Sequence, residues 1–189
     1  LSGDGRVCGA TSSVNAARTP SADGSAATTS RSRCATGCST PARISAGRRA
    51  ALTDLAENTD YIYRVGSADG GWSDVKTFST ASFDGDYGFL FFGDPQIGAS
   101  GNAQRDGEGW AATLDIAAET YPNSELLFSG GDQVNTASSE TEYEYYLAPE
   151  QLTSIPTVPV NGNHDVGSKA YEQHYTVPNL DETAGAATS

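Results

Sequence analysis

The second half of the chain alternates short apolar runs with amphipathic segments. Three runs, "DYGFLFFGDPQIG", "ELLFSGGDQV" and "PTVPVNGNHDV", predict buried strands, the first of them covered on both faces. Between them lie two segments that predict helices, "AQRDGEGWAATLDIAAETYP" and "SSETEYEYYLAPEQLTSI". The alternation of strand and helix predicts a parallel α/β sheet. The apolar positions at helical spacing in the first helix are Trp110, Leu114, Ala117, Ala118 and Tyr121.

Before residue 82 the hydrophobic pattern has a period of two. The segment "DYIYRVG" alternates, "SADGG" is typical of a hairpin turn, and "WSDVKTFST" resumes the alternation. Short strands at this spacing predict an all-β sandwich. In residues 9–40 Ala, Ser, Thr and Gly dominate, so a flexible leader is the alternative there. The change of period predicts two domains, residues 1–82 and 83–189.

Each predicted strand of the second domain ends in a polar cluster. Asp94, Asp132 and Asn163 stand in these clusters, 38 and 31 residues apart, which is the length of one strand and helix each. The carboxyl ends of parallel strands meet at one edge of a sheet, where ligand sites lie. Oxygen ligands from neighbouring strands are therefore expected to surround a cation.

The charge of the chain is distributed unevenly. Residues 1–65 carry eight Arg and five acids (+3), whereas residues 66–189 carry three basic and nineteen acidic residues (−16). An acidic second half argues against a nucleic-acid groove, which needs Lys and Arg for the phosphates, and it suits a cation site. No apolar run approaches the roughly 20 residues of a membrane span.

The three cysteines, Cys8, Cys34 and Cys38, all lie in the first domain. One disulfide with a thiol left over, or a bond to a missing segment, is expected, with a connectivity that the sequence leaves open. The rival interpretation of "CATGC" is a zinc site, although no further Cys or His lies nearby. The cysteines, the two lysines and the abundant Thr, Ser and Gly favour a secreted protein. The absent initiator Met predicts a processed or trimmed product.

The polar clusters also carry a family resemblance. In order and spacing, "GDPQ", "GGDQV" and "GNHD" resemble the calcineurin-like metallophosphoesterases. The segment "LTDLAENTDYIYRV" resembles the end of a fibronectin type III-like domain, which makes the whole similar to the N-terminal part of the purple acid phosphatase-like branch. The resemblance implies a fibronectin type III-like sandwich in residues 1–82. It also implies that residues 83–189 form the first half of an α/β metallophosphoesterase domain.

The resemblance assigns a role to each candidate site residue. It implies hydrolysis of phosphate mono- or diesters by two metal ions, which are Fe, Zn or Mn. Asp94 would bind the first ion, Asp132 would bridge both, and Asn163 would bind the second. His164 would stabilise negative charge on the substrate or donate a proton.

Two positions depart from the family pattern. Gln96 stands where the family usually has a histidine ligand, so it is a candidate for a weak ligand or a hydrogen-bonding neighbour of the metal. Asn135 stands where the purple enzymes have a tyrosine, so we expect no iron–tyrosinate colour and only a supporting role for this residue.

The family completes its site with later histidines that this chain lacks. Its histidines are His164 and His174, and we interpret His174 as structural. The sequence therefore predicts half of a dinuclear site, inactive alone, with the remaining ligands on a second polypeptide or a missing C-terminal segment. The alternative is a non-catalytic secreted adhesion or scaffold protein with a degenerate phosphoesterase domain.

Overall fold

The computed structural model describes residues 13–18, 29–33, 52–67 and 70–176, with side chains in the last two ranges. The chain forms two compact units, and the boundary between them in the sequence lies between Thr80 and Ala81. The change in hydrophobic period near residue 82 therefore lies close to the boundary between the two units. The assignment of these units to a fibronectin type III-like sandwich and a metallophosphoesterase domain stays a prediction. Cys8, Cys34 and Cys38 lie outside the described residues.

The first unit contains an antiparallel sheet. The strands are β1 (Ser13–Arg18), β2 (Thr29–Arg33), β3 (Thr59–Ser67), β4 (Gly71–Trp72) and β5 (Lys76–Thr80). The central strands follow the order β2-β1-β3, and both β4 and β5 pair with β3. Both β1 and β2 fall in the region of poor periodicity, so these two segments are strands rather than a flexible leader.

Aromatic side chains join β3 to β5. Tyr61 is buried and stacks on Phe78, with ring centroids 5.2 Å apart. The Tyr61 hydroxyl accepts a hydrogen bond from the Ala56 amide at 2.8 Å, so its polar end is satisfied. The alternation of "DYIYRVG" thus reflects a cross-strand aromatic pair.

The second unit alternates strands and helices, as predicted. The elements are β6 (Phe89–Phe92), α1 (Ala103–Thr120), β7 (Leu126–Ser129), α2 (Glu140–Leu147), α3 (Gln151–Ser154), β8 (Thr157–Pro159) and α4 (Ala170–His174). The strands form a parallel sheet of order β6-β7-β8. The prediction of a single second helix is wrong, because that segment is divided into α2 and α3. Pro149 lies between them, and its ring and missing N–H interrupt a helix.

The two longer helices begin at capping residues. The Asn102 side chain accepts a hydrogen bond from the Arg105 amide before α1, and the Ser139 side chain accepts one from the Glu142 amide before α2. Each cap satisfies an amide that has no partner within the helix. No helix among the described residues is long and apolar enough to cross a membrane.

The core of the second unit lies between the sheet and the helices. Trp110 stacks on Tyr146, with centroids 5.6 Å apart, and its indole N–H donates to the Tyr146 carbonyl at 3.0 Å. Leu114 and Leu127 complete the contact between α1 and β7. The predicted inner face of α1 is confirmed at Trp110 and Leu114, but Tyr121 is exposed because it follows the last turn.

The other face of the sheet carries exposed apolar side chains. Phe89 and Phe91 of β6 are 52% and 66% exposed, and Val160 after β8 is 48% exposed. The prediction that the first strand is buried on both faces is therefore wrong. Alternation along the strand directs Leu90 inward, and no described element shields Phe89 or Phe91.

Candidate metal centre

The loops after β6 and β7 continue the parallel pairing of their strands. The Gln96 amide donates to the Asp132 carbonyl at 2.8 Å, and the Ile97 amide donates to the Gln133 carbonyl at 3.1 Å. The Asn135 amide returns a hydrogen bond to the Ile97 carbonyl at 2.9 Å. These bonds place the first polar cluster beside the second, as expected for neighbouring parallel strands.

The loop after β8 is bound to the second cluster through His164. Its amide donates to Asp132 Oδ1 at 2.8 Å, and its ring Nδ1 lies 2.8 Å from the Asn135 carbonyl oxygen. A carbonyl oxygen only accepts, so Nδ1 carries the hydrogen and donates. The orientation of the imidazole is thereby set, and its Nε2 is not used by this contact. Gln96 Nε2 donates to Asn135 Oδ1 at 3.3 Å, so Asn135 contacts two other candidate residues.

The Asp165 side chain connects the loop after β8 with the loop after β7. It is 1% exposed, and its carboxylate accepts hydrogen bonds from the Gln133 amide at 3.0 Å and the Gly162 amide at 2.8 Å. Burial raises the pKa of Asp165, and the backbone donors oppose that shift. Our sequence reasoning gave this residue no role. The sequence feature that could have indicated it is an acidic residue directly after His164, in a loop expected to contact the loop after β7.

The approach of the two loops requires a glycine. A Cβ at Gly162 would overlap the Asp132 carboxylate, so only glycine fits beside this side chain. Asp132 is 8% exposed and has a φ of 49°, and Gln96 has a φ of 39°. Both residues thus adopt the left-handed region, a conformation that costs free energy and is frequent at functional sites.

The remaining candidate ligands lie at the surface. Asp94 and Asn163 are exposed and make no side-chain hydrogen bond within the described part of the chain. No group of three or more His, Cys, Asp or Glu side chains is placed to hold a metal ion among the residues that the structure describes. The donors present, two carboxylates and an amide beside one imidazole, suit a divalent ion chemically but form an incomplete ligand set.

A cavity of about 620 Å³ opens beside the first loop. Asp94 and Gln96 line it together with Arg105 and Trp110 of α1. Arg105 and Lys169 are the only Lys or Arg residues in positions 81–189. Our sequence reasoning did not select Arg105. The sequence feature that could have indicated Arg105 is a basic residue that stands almost alone in an acidic domain.

Asp106 stabilises the loop that borders this cavity. Its Oδ2 accepts hydrogen bonds from the Gly98 amide at 3.0 Å and the Ser100 amide at 3.1 Å. Hydrogen bonds from Ser100 hold the pKa of Asp106 below its usual value. The carboxylate therefore stays ionised and holds the chain between the first polar cluster and α1.

His174 is placed in a different environment. Its Nε2 lies 3.0 Å from Glu140 Oε2, and its ring lies 4.4 Å from that of Tyr143, measured between centroids. These contacts join α4 to α2 and support our interpretation that His174 is structural.

Comparison with known proteins relates the chain to purple acid phosphatases. Residues 8–80 match the purple acid phosphatase N-terminal domain. The predicted resemblance to purple acid phosphatases is confirmed by this match and by a solved structure. The structure is that of purple acid phosphatase PPD1 isolated from yellow lupin (Lupinus luteus) seeds, with a TM-score of 0.64 and 16% sequence identity.

The likeness to the lupin purple acid phosphatase concerns the fold. It covers 91% of this chain and 36% of the lupin chain, so the chain spans about a third of the length of that phosphatase. No curated protein sequence matches the chain.

Proposed function

We propose that this purple acid phosphatase-like chain supplies part of a dinuclear metal centre that hydrolyses phosphate mono- or diesters. The observation that carries the proposal is the position of Asp132. This buried carboxylate lies at the end of a parallel strand, beside Gln96 of the preceding loop, and it accepts a hydrogen bond from His164 of the following loop. The family match of residues 8–80 supports the same class of reaction.

Asp94, Asp132 and Asn163 are the residues that would hold the metal ions, with Gln96 as a weak ligand or neighbour. When bound, such ions polarise the phosphate and activate water. Asn163 is neutral, so it would leave more of the positive charge of an ion available to the substrate. The set contains too few imidazoles for Fe, Zn or Mn, and we infer that a second polypeptide or a further segment supplies the remaining histidines.

His164 would act on the substrate through Nε2. Its Nδ1 is engaged by the Asn135 carbonyl, so the ring is held in one orientation before substrate binds. A protonated Nε2 donates a hydrogen bond to an oxygen on which negative charge grows, which stabilises the transition state. Asn135 would thus be a positioning residue that acts through His164.

Arg105 would bind a negative group of the substrate in the cavity beside Asp94. The acidic charge of the second domain repels phosphate esters, so a cation in the lining of the cavity would improve their binding. The guanidinium forms paired hydrogen bonds with phosphate or carboxylate oxygens.

We further propose, from the cysteines of the first unit, that the protein is secreted.

The experiment that tests this function uses the protein purified from its source, with any polypeptide that accompanies it. We expect hydrolysis of an aryl phosphate that is lost on removal of metal with a chelator and restored by Zn²⁺, Mn²⁺ or iron. Hydrolysis that survives complete metal removal, or its absence at every metal loading, would reject the proposal.

A further inference from the structure

Four buried polar atoms of the second unit make no hydrogen bond within the described part of the chain. They are the hydroxyl oxygens of Tyr143, Tyr146 and Tyr175 and the Oε1 atom of Gln133, which we call the internal polar cluster. Tyr143, Tyr146 and Gln133 are each 0% exposed. A buried polar group without a partner costs free energy, so native proteins rarely leave one unsatisfied. The cluster therefore indicates a bound partner.

The members of the internal polar cluster lie in one region, between α2, β7 and the residue that follows α4. Tyr175 packs against the core cluster that contains Tyr146 and against the one that contains Tyr143. Burial raises the pKa of Tyr175, and charges on Tyr146 and Tyr143 would raise it further, so the three hydroxyl groups are near neighbours. Gln133 Nε2 donates to Ser129 Oγ at 2.8 Å, and this hydroxyl lies near that of Tyr146.

Asp165 adds a carboxylate to the same region. Burial raises the pKa of Tyr143, and the charge of Asp165 is the next cause, so the two side chains lie near each other. The carboxylate accepts hydrogen bonds from the amides of Gln133, Gly162 and Val134, the last at 3.5 Å. A carboxylate offers about four acceptor sites, so Asp165 can accept a further hydrogen bond.

The chemistry of these atoms identifies the partner as water. Gln133 Oε1 and the Asp165 carboxylate only accept hydrogen bonds, so their partner must donate. The tyrosine hydroxyls also donate, so their partner must accept as well. A metal ion donates no hydrogen bond and would leave the hydroxyl protons without an acceptor. Water does both, and a buried water molecule typically makes about three hydrogen bonds.

We propose that ordered water molecules bind inside the second unit and bridge the tyrosine hydroxyls to Gln133 and Asp165. These bridges join α2 and the end of α4 to the loop after β7, which carries Asp132. The loop is thereby held through water as well as through the direct contacts of Asp165. The water site does not depend on the function proposed above, because it involves none of the residues that would hold a metal ion.

A crystal structure of the protein purified from its source, at a resolution that shows ordered water, tests the site directly. We expect density for water within about 2.6–3.2 Å of the tyrosine hydroxyls and of Gln133 Oε1. Two results would overturn the proposal. In one, the hydroxyls bond directly to each other with no water between them. In the other, a polar side chain from residues 177–189 occupies the region.

Magnetic relaxation dispersion of water oxygen provides a second test in solution, since it counts water molecules that stay inside a protein. Tyr143→Phe and Tyr146→Phe each remove one hydroxyl, and Tyr121→Phe, at an exposed position, is the matched control. We expect the number of long-lived waters to fall in both buried variants and to stay unchanged in the control. An unchanged number in both buried variants, with folding confirmed by circular dichroism, would contradict the proposal.

Discussion

The candidate centre has an inner half and an outer half that are built differently. In the inner half, partly buried hydrogen bonds join His164 to Asp132 and Gly162 to Asp165. The approach of Gly162 to Asp132 is too close for any side chain at that position. In the outer half, Asp94 is exposed and lines an open cavity, and it follows a strand that pairs on one side only among the described residues. The chain therefore organises the inner half by its own contacts, whereas the outer half is exposed and has few contacts to hold it.

The largest effect is expected when the inner half loses the carboxylate of Asp132. Asp132→Ala in the complete protein should lower kcat/KM by a factor on the order of 1,000, because the proposed reaction depends on water activated by metal ions that Asp132 would hold. Metal content and turnover of an aryl phosphate are measured together. Glu119→Ala, on the exposed side of α1, serves as the control. A variant with near-normal metal and turnover would show that Asp132 does not join two ions.

The close packing of the inner half predicts the next effect. Gly162→Ala should destabilise the second unit by about 1–3 kcal/mol, because the added methyl overlaps the Asp132 carboxylate. Gly93→Ala is the matched control, since no atom lies within 4 Å of a Cβ placed there. Urea unfolding followed by tryptophan fluorescence measures both. Equal stability of the two variants would mean that the loops do not approach as described.

The outer half is tested through its cation. Arg105→Ala should raise KM for a phosphate ester about tenfold with little change in kcat, because a bound anion loses its guanidinium partner in both ground and transition states. Lys169→Ala removes the other cation of the second unit and should leave KM near its original value. A fall in kcat with unchanged KM would place Arg105 in the reaction itself rather than in binding.

The smallest effect concerns alkaline pH near the inner half. Burial, with the charge of Asp165 as a lesser cause, raises the pKa of Tyr171 to about 12. The folded state therefore retains a proton that the unfolded state releases, so the contribution to stability is complete below pH 10 and is lost as pH rises towards 12. Tyr171→Phe should flatten this decline, measured by urea unfolding between pH 9 and pH 12. Tyr121→Phe, at an exposed position, should not.

The architecture of the second unit was predictable from local pattern. Apolar runs and polar strand ends determine a parallel sheet whose clusters meet, and the hydrogen bond from Gln96 to Asp132 follows from that order. Periodicity could not reveal the uncovered face of β6, since an apolar run has the same pattern whether or not a partner is present. Asp165 and Arg105 were missed because their roles depend on contacts between segments far apart in sequence.

Metal titration of the isolated 189-residue chain tests the central claim most directly. Zinc, manganese or iron is added while heat of binding and aryl phosphate hydrolysis are followed. We predict weak binding and negligible hydrolysis, because Asp94, Asp132 and Asn163 provide too few ligands for two ions. Both should appear when a polypeptide that bears the missing histidines is added in trans. Tight binding of two ions with robust turnover by the chain alone would contradict the account.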